Sequence, residues 1–268
     1  MTLVMGIVNV TPDSFSDGGR YLDAEAAIAH GRALRAAGAD LLDVGGESTR
    51  PGAERVDPGL ERERVLPVVA ALAADGAIVS IDTMNASTAV AAVEAGARLV
   101  NDVSGGLADP EMLAAVAASG ADVVLQHWRG PSDDMYARAE YGDVVAELVV
   151  ELEDRVRAAA RAGISPDRVI LDPGIGFGKR GDQNWQALRG LERVVAIGPR
   201  VLVGTSRKKF LGELLAAGGA DDEARRDLAT AVTSVLAARA GAWAVRVHDA
   251  AATRDALAVG RAWERGGA

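Results

Sequence analysis

The stretch Ala95-Gly96-Ala97-Arg98-Leu99-Val100-Asn101-Asp102 contains the unit from which the chain is built. A helical pattern, Ala86 to Ala95, precedes it, and Gly96 falls where that helix should stop. The apolar pair Leu99-Val100 indicates a short buried strand, and two polar residues follow at its end. Ala-Gly-Ala also precedes apolar runs at residues 37–39 and 240–242, which indicates that one unit is reused.

Short apolar runs alternate with helical patterns eight times along the chain. Several runs are continuous, as expected for parallel strands buried on both faces. The predicted strands are Leu3–Val8, Leu41–Val44, Ile78–Ile81, Leu99–Val100, Val123–Leu125, Val169–Leu171, Val201–Val203 and Ala244–Val247. The predicted helices are Ala24–Ala37, Gly59–Ala74, Ala86–Ala95, Pro110–Ala118, Val144–Ala162, Trp185–Val195, Arg207–Ala216, Arg225–Ala240 and Thr253–Glu264. The glycines predicted to end helices are Gly38, Gly76, Gly96, Gly120, Gly163 and Gly241.

Eight strand–helix units in a chain of this length predict an α/β fold, a TIM (β/α)8 barrel. The alternative is a doubly wound open sheet, which usually carries a G-x-G-x-x-G turn after an early strand. No such turn follows the early strands here. No linker or composition shift divides the chain, so residues 1–268 are predicted to form a single domain.

Composition limits the classes of function. The chain has 268 residues, is 49% hydrophobic and 25% charged, and contains no cysteine. Disulfides, thiolate nucleophiles and cysteine-ligated metals are therefore excluded. The net charge of −9 argues against a nucleic-acid partner. No apolar run is long enough to span a membrane, and Met1–Val10 lacks the basic region of a signal peptide, so we expect a cytoplasmic protein.

Three polar loops follow predicted strands, at residues 9–19, 43–52 and 172–179. Parallel barrel enzymes place their chemistry at the carboxyl ends of the strands, so these loops predict an enzyme. Polar residues follow all eight predicted strands, and the barrel should bring them to one mouth: Asn9, Asp43, Asp82, Asn101, Asp102, Gln126, His127, Asp172, Ser206, Arg207, Lys208, Arg246, His248 and Asp249.

Some of these residues have equally good structural explanations. Asp43 and Asp249 could simply cap the following helix or brace a loop. Lys208 could belong to a solvated helix start. His30 lies in the middle of a predicted helix and is expected to be a surface or packing residue.

The residue types indicate a ligand with two different ends. Asp82, Asn101 and Asp172 have apolar flanks and should lie deep, where carboxylates need partners. Basic residues are few on the same strands, so we expect the ligand to be that partner. A heterocycle with several N–H donors, one edge of it guanidine-like, would fit.

A second group is poor in acceptors and partly cationic: Asn9, Thr49, Arg50, Arg246 and His248. It suits phosphate or pyrophosphate together with a hard divalent ion such as Mg²⁺. A third segment, Ser206-Arg207-Lys208, opens a predicted helix. The N-terminus of a helix is a favourable place for an anion.

Together these segments resemble the dihydropteroate synthase family, in the family's order, from residue 4 to about residue 260. The resemblance is carried by Asn9–Gly19, Gly45–Gly52, Asp82-Thr83, Asn101–Gly106, Asp172–Lys179, Ser206-Arg207-Lys208 and Arg246–Asp249. It implies condensation of 6-hydroxymethyl-7,8-dihydropterin pyrophosphate with p-aminobenzoate, giving 7,8-dihydropteroate and pyrophosphate for folate synthesis.

The resemblance also implies roles for individual residues. Pterin would be bound by Asp82, Asn101, Gln126, Asp172, Phe177, Lys208 and Arg246. Pyrophosphate would be bound by Asn9, Thr49, Arg50, Arg246 and His248, with Asn9 also a ligand of Mg²⁺. p-Aminobenzoate, and sulfonamide inhibitors in its place, would contact Phe15, Pro51, Phe177, Ser206 and Lys208. Mobile loops would contain Asp13, Ser14, Ser16, Asp17 and Gly52.

The resemblance further implies a homodimer and a dissociative mechanism, in which pyrophosphate leaves before the amine attacks. One departure is visible, because the family usually has Met where this chain has Gln126. Two alternatives stay open from the residues alone. Another pterin-binding barrel, such as a methyltetrahydrofolate:corrinoid methyltransferase, would share the deep Asp/Asn/Asp set. A non-catalytic paralogue would bind pterin without turnover.

Overall fold

The computed structural model describes residues 1–11, 20–48, 55–131, 135–217 and 222–266. Eight parallel strands close into a barrel in which each strand pairs with its neighbours in the chain and β8 pairs with β1. The predicted fold class is confirmed. The strands are β1 Leu3–Asn9, β2 Leu41–Gly45, β3 Ile78–Asp82, β4 Leu99–Asp102, β5 Asp122–Gln126, β6 Val169–Asp172, β7 Arg200–Val203 and β8 Ala244–Val247.

Helices surround the barrel and connect its strands. They are α1 Arg20–Ala36, α2 Pro58–Ala74, α3 Ala86–Glu94, α4 Met112–Ser119, α5 Val144–Arg161, α6 Asp182–Arg189, α7 Leu191–Val195, α8 Lys209–Ala217, α9 Glu223–Arg239 and α10 Ala250–Glu264. The prediction of a single helix over Trp185–Val195 is wrong, because the helix is interrupted at Gly190 and forms two separate helices. A Cβ atom at Gly190 would lie 2.4 Å from Cγ1 of Val145, so the close approach of α5 requires glycine there. In the described ranges, no helix is long and apolar enough to cross a membrane.

The six glycines predicted to end helices all have positive φ. After α3, the backbone N–H of Gly96 donates to the carbonyl of Val93, and that of Ala97 donates to the carbonyl of Ala92. Such paired bonds satisfy the last carbonyls of a helix and turn the chain toward the next strand. Ala-Gly-Ala therefore marks the point where each of these helices stops.

The core has two parts. The larger lies between the strands and the helices and is rich in Val, Leu and Ala. The smaller fills the inside of the barrel, and we call it the interior layer. Its members are Met5, Leu41, Leu99, Val124, Ile170, Leu202 and Ala244. This layer closes the barrel below its carboxyl-terminal mouth, so the barrel is a packed core and not a channel.

Candidate active site

The mouth of the barrel is built directly on the interior layer. Residues two positions apart in a strand point to the same side of the sheet. The positions two beyond the interior layer on five of its strands are polar, and Asp82 lies two beyond the buried Ser80. The five are Asp43, Asn101, Gln126, Asp172 and Arg246. Asp82 pairs in register with Asn101, and Gln126 with Asp172, so these side chains share one level of the barrel.

Arg246 reaches from β8 to the carboxylates of two other strands. Its Nε lies 2.6 Å from Oδ2 of Asp43, and its Nη2 lies 2.8 Å from Oδ2 of Asp82. The same Asp43 oxygen accepts a hydrogen bond from Nδ2 of Asn101 at 2.9 Å. Asp82 therefore has a partner within the protein in addition to the ligand expected there, because Arg246 from a distant strand already contacts it.

Burial controls the charge of the Asp82 carboxyl, which is 8% exposed. Loss of solvent raises the pKa of Asp82 from 3.8 to about 7, and the positive charge of Arg246 opposes that rise. Asp43, also buried, adds to the rise by like-charge repulsion. Asp82 is therefore a group whose protonation changes near neutral pH.

Asp172 and Lys208 face each other on the other side of the mouth. Burial raises the pKa of Asp172, against the effect of Lys208, and burial lowers the pKa of Lys208 to about 8. Oδ1 of Asp172 accepts a hydrogen bond from the backbone N–H of Gly174 at 2.7 Å. The ammonium of Lys208 donates to the carbonyl of Ile175 and lies 4.7 Å from the centre of the Phe177 ring.

The β6 loop can approach Lys208 because it contains glycine. Gly176 has φ 83°, and a Cβ atom there would lie 2.7 Å from Cδ of Lys208. Any other residue would strain the backbone and displace the lysine. Lys208 is thus part of the site, whereas Lys209 next to it is exposed as the first residue of α8.

Ser206 and His248 join the ends of β7 and β8. Their side chains meet at 2.8 Å between Oγ and Nδ1, and the backbone N–H of His248 donates to the same Oγ at 3.0 Å. Ser206 is 8% exposed. Arg246, in β8, precedes His248 by two residues. The Ser206–His248 contact therefore connects the segment proposed to bind p-aminobenzoate with the residues proposed to bind pyrophosphate.

Comparison with known proteins identifies the chain. Residues 5–248 match the family of pterin binding enzymes. Dihydropteroate synthase of Mycobacterium leprae is 54% identical over 269 residues, covering 98% of this chain and 94% of that protein. The chain belongs to the dihydropteroate synthase family. It is accordingly an enzyme, a transferase of folate biosynthesis, and these matches favour that reading over a corrinoid methyltransferase.

Solved structures of the family agree with the barrel. Dihydropteroate synthase of Xanthomonas albilineans with 4-aminobenzoic acid has a TM-score of 0.90 at 47% identity, covering 98% of this chain and 93% of that one. Dihydropteroate synthase of Yersinia pestis, in a sulfonamide drug complex, has a TM-score of 0.91 at 38% identity, covering 98% and 94%.

Several predicted residues of this family member lie outside the described ranges. They are Asp13, Ser14, Phe15, Ser16, Asp17, Thr49, Arg50, Pro51 and Gly52. The remaining predicted residues lie at the mouth, at the ends of their strands or in the loops that follow. Asn9 ends β1, half-buried, two positions beyond the buried Ile7.

Three of the polar residues at the strand ends make contacts that stabilise the local structure. Asp249 caps α10 by accepting from the backbone N–H of Ala252, and Asp102 binds the backbone N–H groups of Ser104 and Gly106. Arg207 turns away from the mouth and forms a double hydrogen bond with Asp227 of α9, at 2.7 and 2.8 Å. The anion site predicted for Ser206-Arg207-Lys208 therefore loses its middle residue.

Gln126, the one departure from the family pattern, is buried at the end of β5. Its Nε2 donates to the backbone carbonyl of Val103 at 3.3 Å. The amide therefore braces the loop after β4 at the same level as Asp172. His30, as expected, is exposed on α1.

Sequence reasoning underrated two residues of this enzyme. For Asp43 the sequence leaves a mouth residue and a cap or brace equally open, yet it is fully buried and holds both Arg246 and Asn101. Its apolar neighbours Leu42 and Val44 were a usable signal, since they place it on the inner face of β2. Lys179 received no role, and nothing local distinguishes it from an exposed loop lysine.

One cleft lies away from this site. It has a volume of about 580 Å³ and lies at the amino-terminal end of the barrel, among residues that include Thr2, Arg200 and Trp243. Catalytic residues of TIM barrels lie at the opposite, carboxyl-terminal face. We therefore assign the chemistry to the mouth and not to this cleft.

Proposed function

We propose that the mouth condenses 6-hydroxymethyl-7,8-dihydropterin pyrophosphate with p-aminobenzoate by a dissociative mechanism. The observation that carries this proposal is the ring of Asp82, Asn101, Asp172 and Arg246 on one level of the barrel, two residues above a closed apolar floor. A flat heterocycle can rest on such a floor while polar groups surround its edge.

Recognition of the pterin begins at Asp172. One of its oxygens holds the Gly174 N–H, so the carboxylate is fixed in orientation. The guanidine-like edge of a pterin offers N–H donors that match a carboxylate in two places. Asn101 adds an amide at the same level, Lys208 adds a donor from the loop after β7, and Phe177 provides an aromatic face beside Lys208.

Pyrophosphate is proposed to lie against Arg246, Asn9 and His248. Two N–H groups of Arg246 are engaged by Asp43 and Asp82, which leaves three of its five donors for the substrate. Asp43 and Asp82 therefore orient the guanidinium as well as balance its charge. Thr49 and Arg50 belong to the proposal on the family resemblance.

In the chemical step, the bond between the pterin methylene carbon and the pyrophosphate oxygen breaks first. Both electrons leave with pyrophosphate, and a pterin cation remains. Asp82 and Asp172 place negative charge near that cation, in a buried site where electrostatic effects are strong. The amine of p-aminobenzoate then attacks the methylene carbon and loses a proton.

p-Aminobenzoate is proposed to bind beside Phe177, Ser206 and Lys208, with Phe15 and Pro51 completing the site. The hydroxyl of Ser206 is held by His248, which directs this strand end toward the mouth. The related enzyme of Xanthomonas albilineans, solved with 4-aminobenzoic acid, supports the substrate class.

Mg²⁺ fits this site as an ion shared with the substrate. In residues 1–11, 20–48, 55–131, 135–217 and 222–266, no group of three His, Cys, Asp or Glu side chains could hold a metal alone. Mg²⁺ usually keeps several waters and uses few protein oxygens beside substrate phosphates. The amide oxygen of Asn9 would be its protein ligand, and the ion would neutralise charge on the leaving pyrophosphate.

A homodimer is also part of the proposal. Leu228, Val232 and Leu236 form an exposed stripe on α9, and Val259 and Trp263 form another on α10; all five are between 53% and 82% exposed. The two helices pack against each other. Apolar stripes of this kind on a surface mark protein interfaces, and a second copy of the chain would cover them.

The dimer is tested by sedimentation equilibrium. The chain mass is 27.6 kDa, and we expect twice that mass in solution. Leu236→Glu should shift the species toward the mass of one chain. Val150→Glu is the control, because Val150 is similarly exposed but lies on α5. Loss of the dimer in both variants, or in neither, would contradict this interface.

We also propose that the enzyme works in the cytoplasm.

The reaction is tested by measuring pyrophosphate release from the pterin substrate with p-aminobenzoate present and absent. With both substrates we expect pyrophosphate and dihydropteroate in equal amounts. Without p-aminobenzoate, a dissociative step still releases pyrophosphate in a single turnover. Release only in the presence of p-aminobenzoate would overturn the order of steps. No release under either condition would show a non-catalytic pterin-binding protein.

A further inference from the structure

Lys179 is a buried lysine whose ammonium is fully satisfied. It is 1% exposed and is among the largest fully buried side chains of the chain. Its Nζ lies 3.0 Å from the carbonyl oxygen of Gly174, 3.2 Å from that of Phe177 and 3.0 Å from Nδ1 of His127. An ammonium has three N–H donors, and each has one acceptor here.

The three contacts assign the state of His127. A protonated Lys179 can only donate to Nδ1, and the proton of the neutral imidazole then lies on Nε2. Nε2 is 2.9 Å from Oε2 of Glu151, although the alignment is poor for a hydrogen bond. Arg129 holds Glu151 in turn, at 2.5 Å from Nη2 to Oε1. The chain of contacts thus runs from α5 through the end of β5 to the β6 loop.

Burying a charged lysine side chain costs free energy, so its presence here calls for an explanation. Burial lowers the pKa of Lys179 to about 7, against the attraction of Asp172. Replacing a complete buried ion pair by apolar side chains is often neutral, whereas removing a single partner leaves the others unsatisfied. The value of Lys179 must therefore be sought in the groups that it contacts.

The contacts of Lys179 lead straight to two residues of the mouth. The carbonyl oxygen of Gly174 accepts from Lys179, and the backbone N–H of the same residue donates to Oδ1 of Asp172 at 2.7 Å. The loop is tightly packed there, since a Cβ atom at Gly174 would lie 2.3 Å from the carbonyl oxygen of His127. The other carbonyl belongs to Phe177, whose ring lies below the ammonium of Lys208.

We propose that Lys179 is a positioning residue for pterin binding: it fixes the β6 loop so that the Asp172 carboxylate and the Phe177 ring keep the orientation that the pterin requires. Lys179 does not touch the substrate and acts through the backbone of Gly174 and Phe177. The inference rests on the proposed function of the mouth, and it adds a determinant of affinity that lies behind the site.

Lys179→Met is the direct test, because methionine fills the space without a charge. The dissociation constant of a pterin is measured by calorimetry without p-aminobenzoate, beside KM and kcat for the full reaction. We expect pterin affinity to fall about tenfold, the effect of removing hydrogen bonds on this scale. KM for the pterin substrate should rise more than kcat falls, because the displaced loop weakens binding before the chemical step.

Arg168→Met is the matched control. Arg168 also binds backbone carbonyls, those of Val116 and Ala121, but it lies at the opposite end of the same strand from Asp172. The Arg168→Met variant should be less stable than the unmodified enzyme but should bind the pterin with unchanged affinity. A folded Lys179→Met protein whose pterin affinity stays within twofold of the unmodified enzyme overturns the proposal.

Glu151→Gln carries the test if Lys179→Met does not fold. Glu151 is more exposed, and its negative charge supports the ammonium of Lys179. We expect pterin affinity to fall about threefold, a smaller effect in the same direction, since a neutral lysine keeps two of its three donors. Unchanged affinity overturns the proposal. Turnover of the unmodified enzyme separates this result from a failure of the proposed function itself.

Discussion

Nη2 of Arg246 lies 2.8 Å from Oδ2 of Asp82, so a residue at the end of β8 contacts the carboxyl group of a residue at the end of β3. The contact crosses the mouth of the barrel and joins residues 164 positions apart. It connects the part of the site assigned to the pterin with the part assigned to pyrophosphate. A change in the charge of Asp82 therefore affects the orientation of Arg246, and the reverse also holds.

The stability of the ligand-free enzyme should depend on the protonation of Asp82. Burial raises the pKa of Asp82 from 3.8 to about 7, so between these values the folded chain keeps a proton that the unfolded chain has released. The contribution of Asp82 to the free energy of unfolding is fully present below about pH 4 and is lost as the pH rises through about 7. Asp82→Asn should remove this dependence, which amounts to at most about 4 kcal/mol.

The measurement is the free energy of unfolding by denaturant at several pH values from 5 to 8. The unmodified enzyme should lose more stability across that range than Asp82→Asn. Equal slopes for the two proteins would show that Asp82 is not protonated in the folded state at pH 5.

Asp172→Asn should weaken pterin binding. The substitution keeps the shape and removes the charged acceptor for the N–H groups of the ligand, and a hydrogen bond to a charged group typically contributes about 1.5–3 kcal/mol. Calorimetry without p-aminobenzoate should show a loss of about tenfold or more. Asp249→Asn is the control: Asp249 also follows a strand of the barrel but only caps α10, so stability should change and affinity should not. Unaltered affinity in Asp172→Asn would refute the pterin assignment.

Activity should require a divalent ion. Asn9 supplies one amide oxygen, and the substrate pyrophosphate supplies the others, which is a set that Mg²⁺ accepts. A chelator should abolish turnover, and added Mg²⁺ should restore it, while calorimetry with a pterin lacking pyrophosphate should show unchanged affinity in the chelated enzyme. Full turnover in metal-free buffer would rule out the ion.

Sulfonamides should compete with p-aminobenzoate. A sulfonamide carries the aniline of the substrate and an anionic end, and the related enzyme of Yersinia pestis was solved in a sulfonamide drug complex. At a fixed concentration of sulfamethoxazole, rising p-aminobenzoate should restore the rate. Inhibition that persists at saturating p-aminobenzoate, or no inhibition at millimolar drug, would show that the drug does not share the site at Phe177 and Ser206.

Local patterns predicted the parts of the fold that depend on near neighbours in the chain. The eight strands agree with the apolar runs to within two residues at each end, since parallel strands are buried on both faces and tolerate few polar residues. Polar residues at the strand ends also identified the mouth. The break at Gly190 was not predicted, and the contact that requires glycine there comes from Val145, 45 positions earlier.

By itself, the sequence determined that the chain is a barrel and which residues surround its mouth, because hydrophobic period, helix-ending glycines and strand-end polarity are local properties of the chain. Tertiary structure alone decided how those residues are used. The same capping role was open to Asp43 and Asp249 from the sequence, yet one holds Arg246 inside the barrel and the other caps a helix. Lys179 in a predicted loop and Lys209 in a predicted helix both resemble surface lysines in the sequence, yet one is buried and the other exposed. The physical reason is that partner choice depends on distances across the closed barrel, and these exist only after the eighth strand has paired with the first.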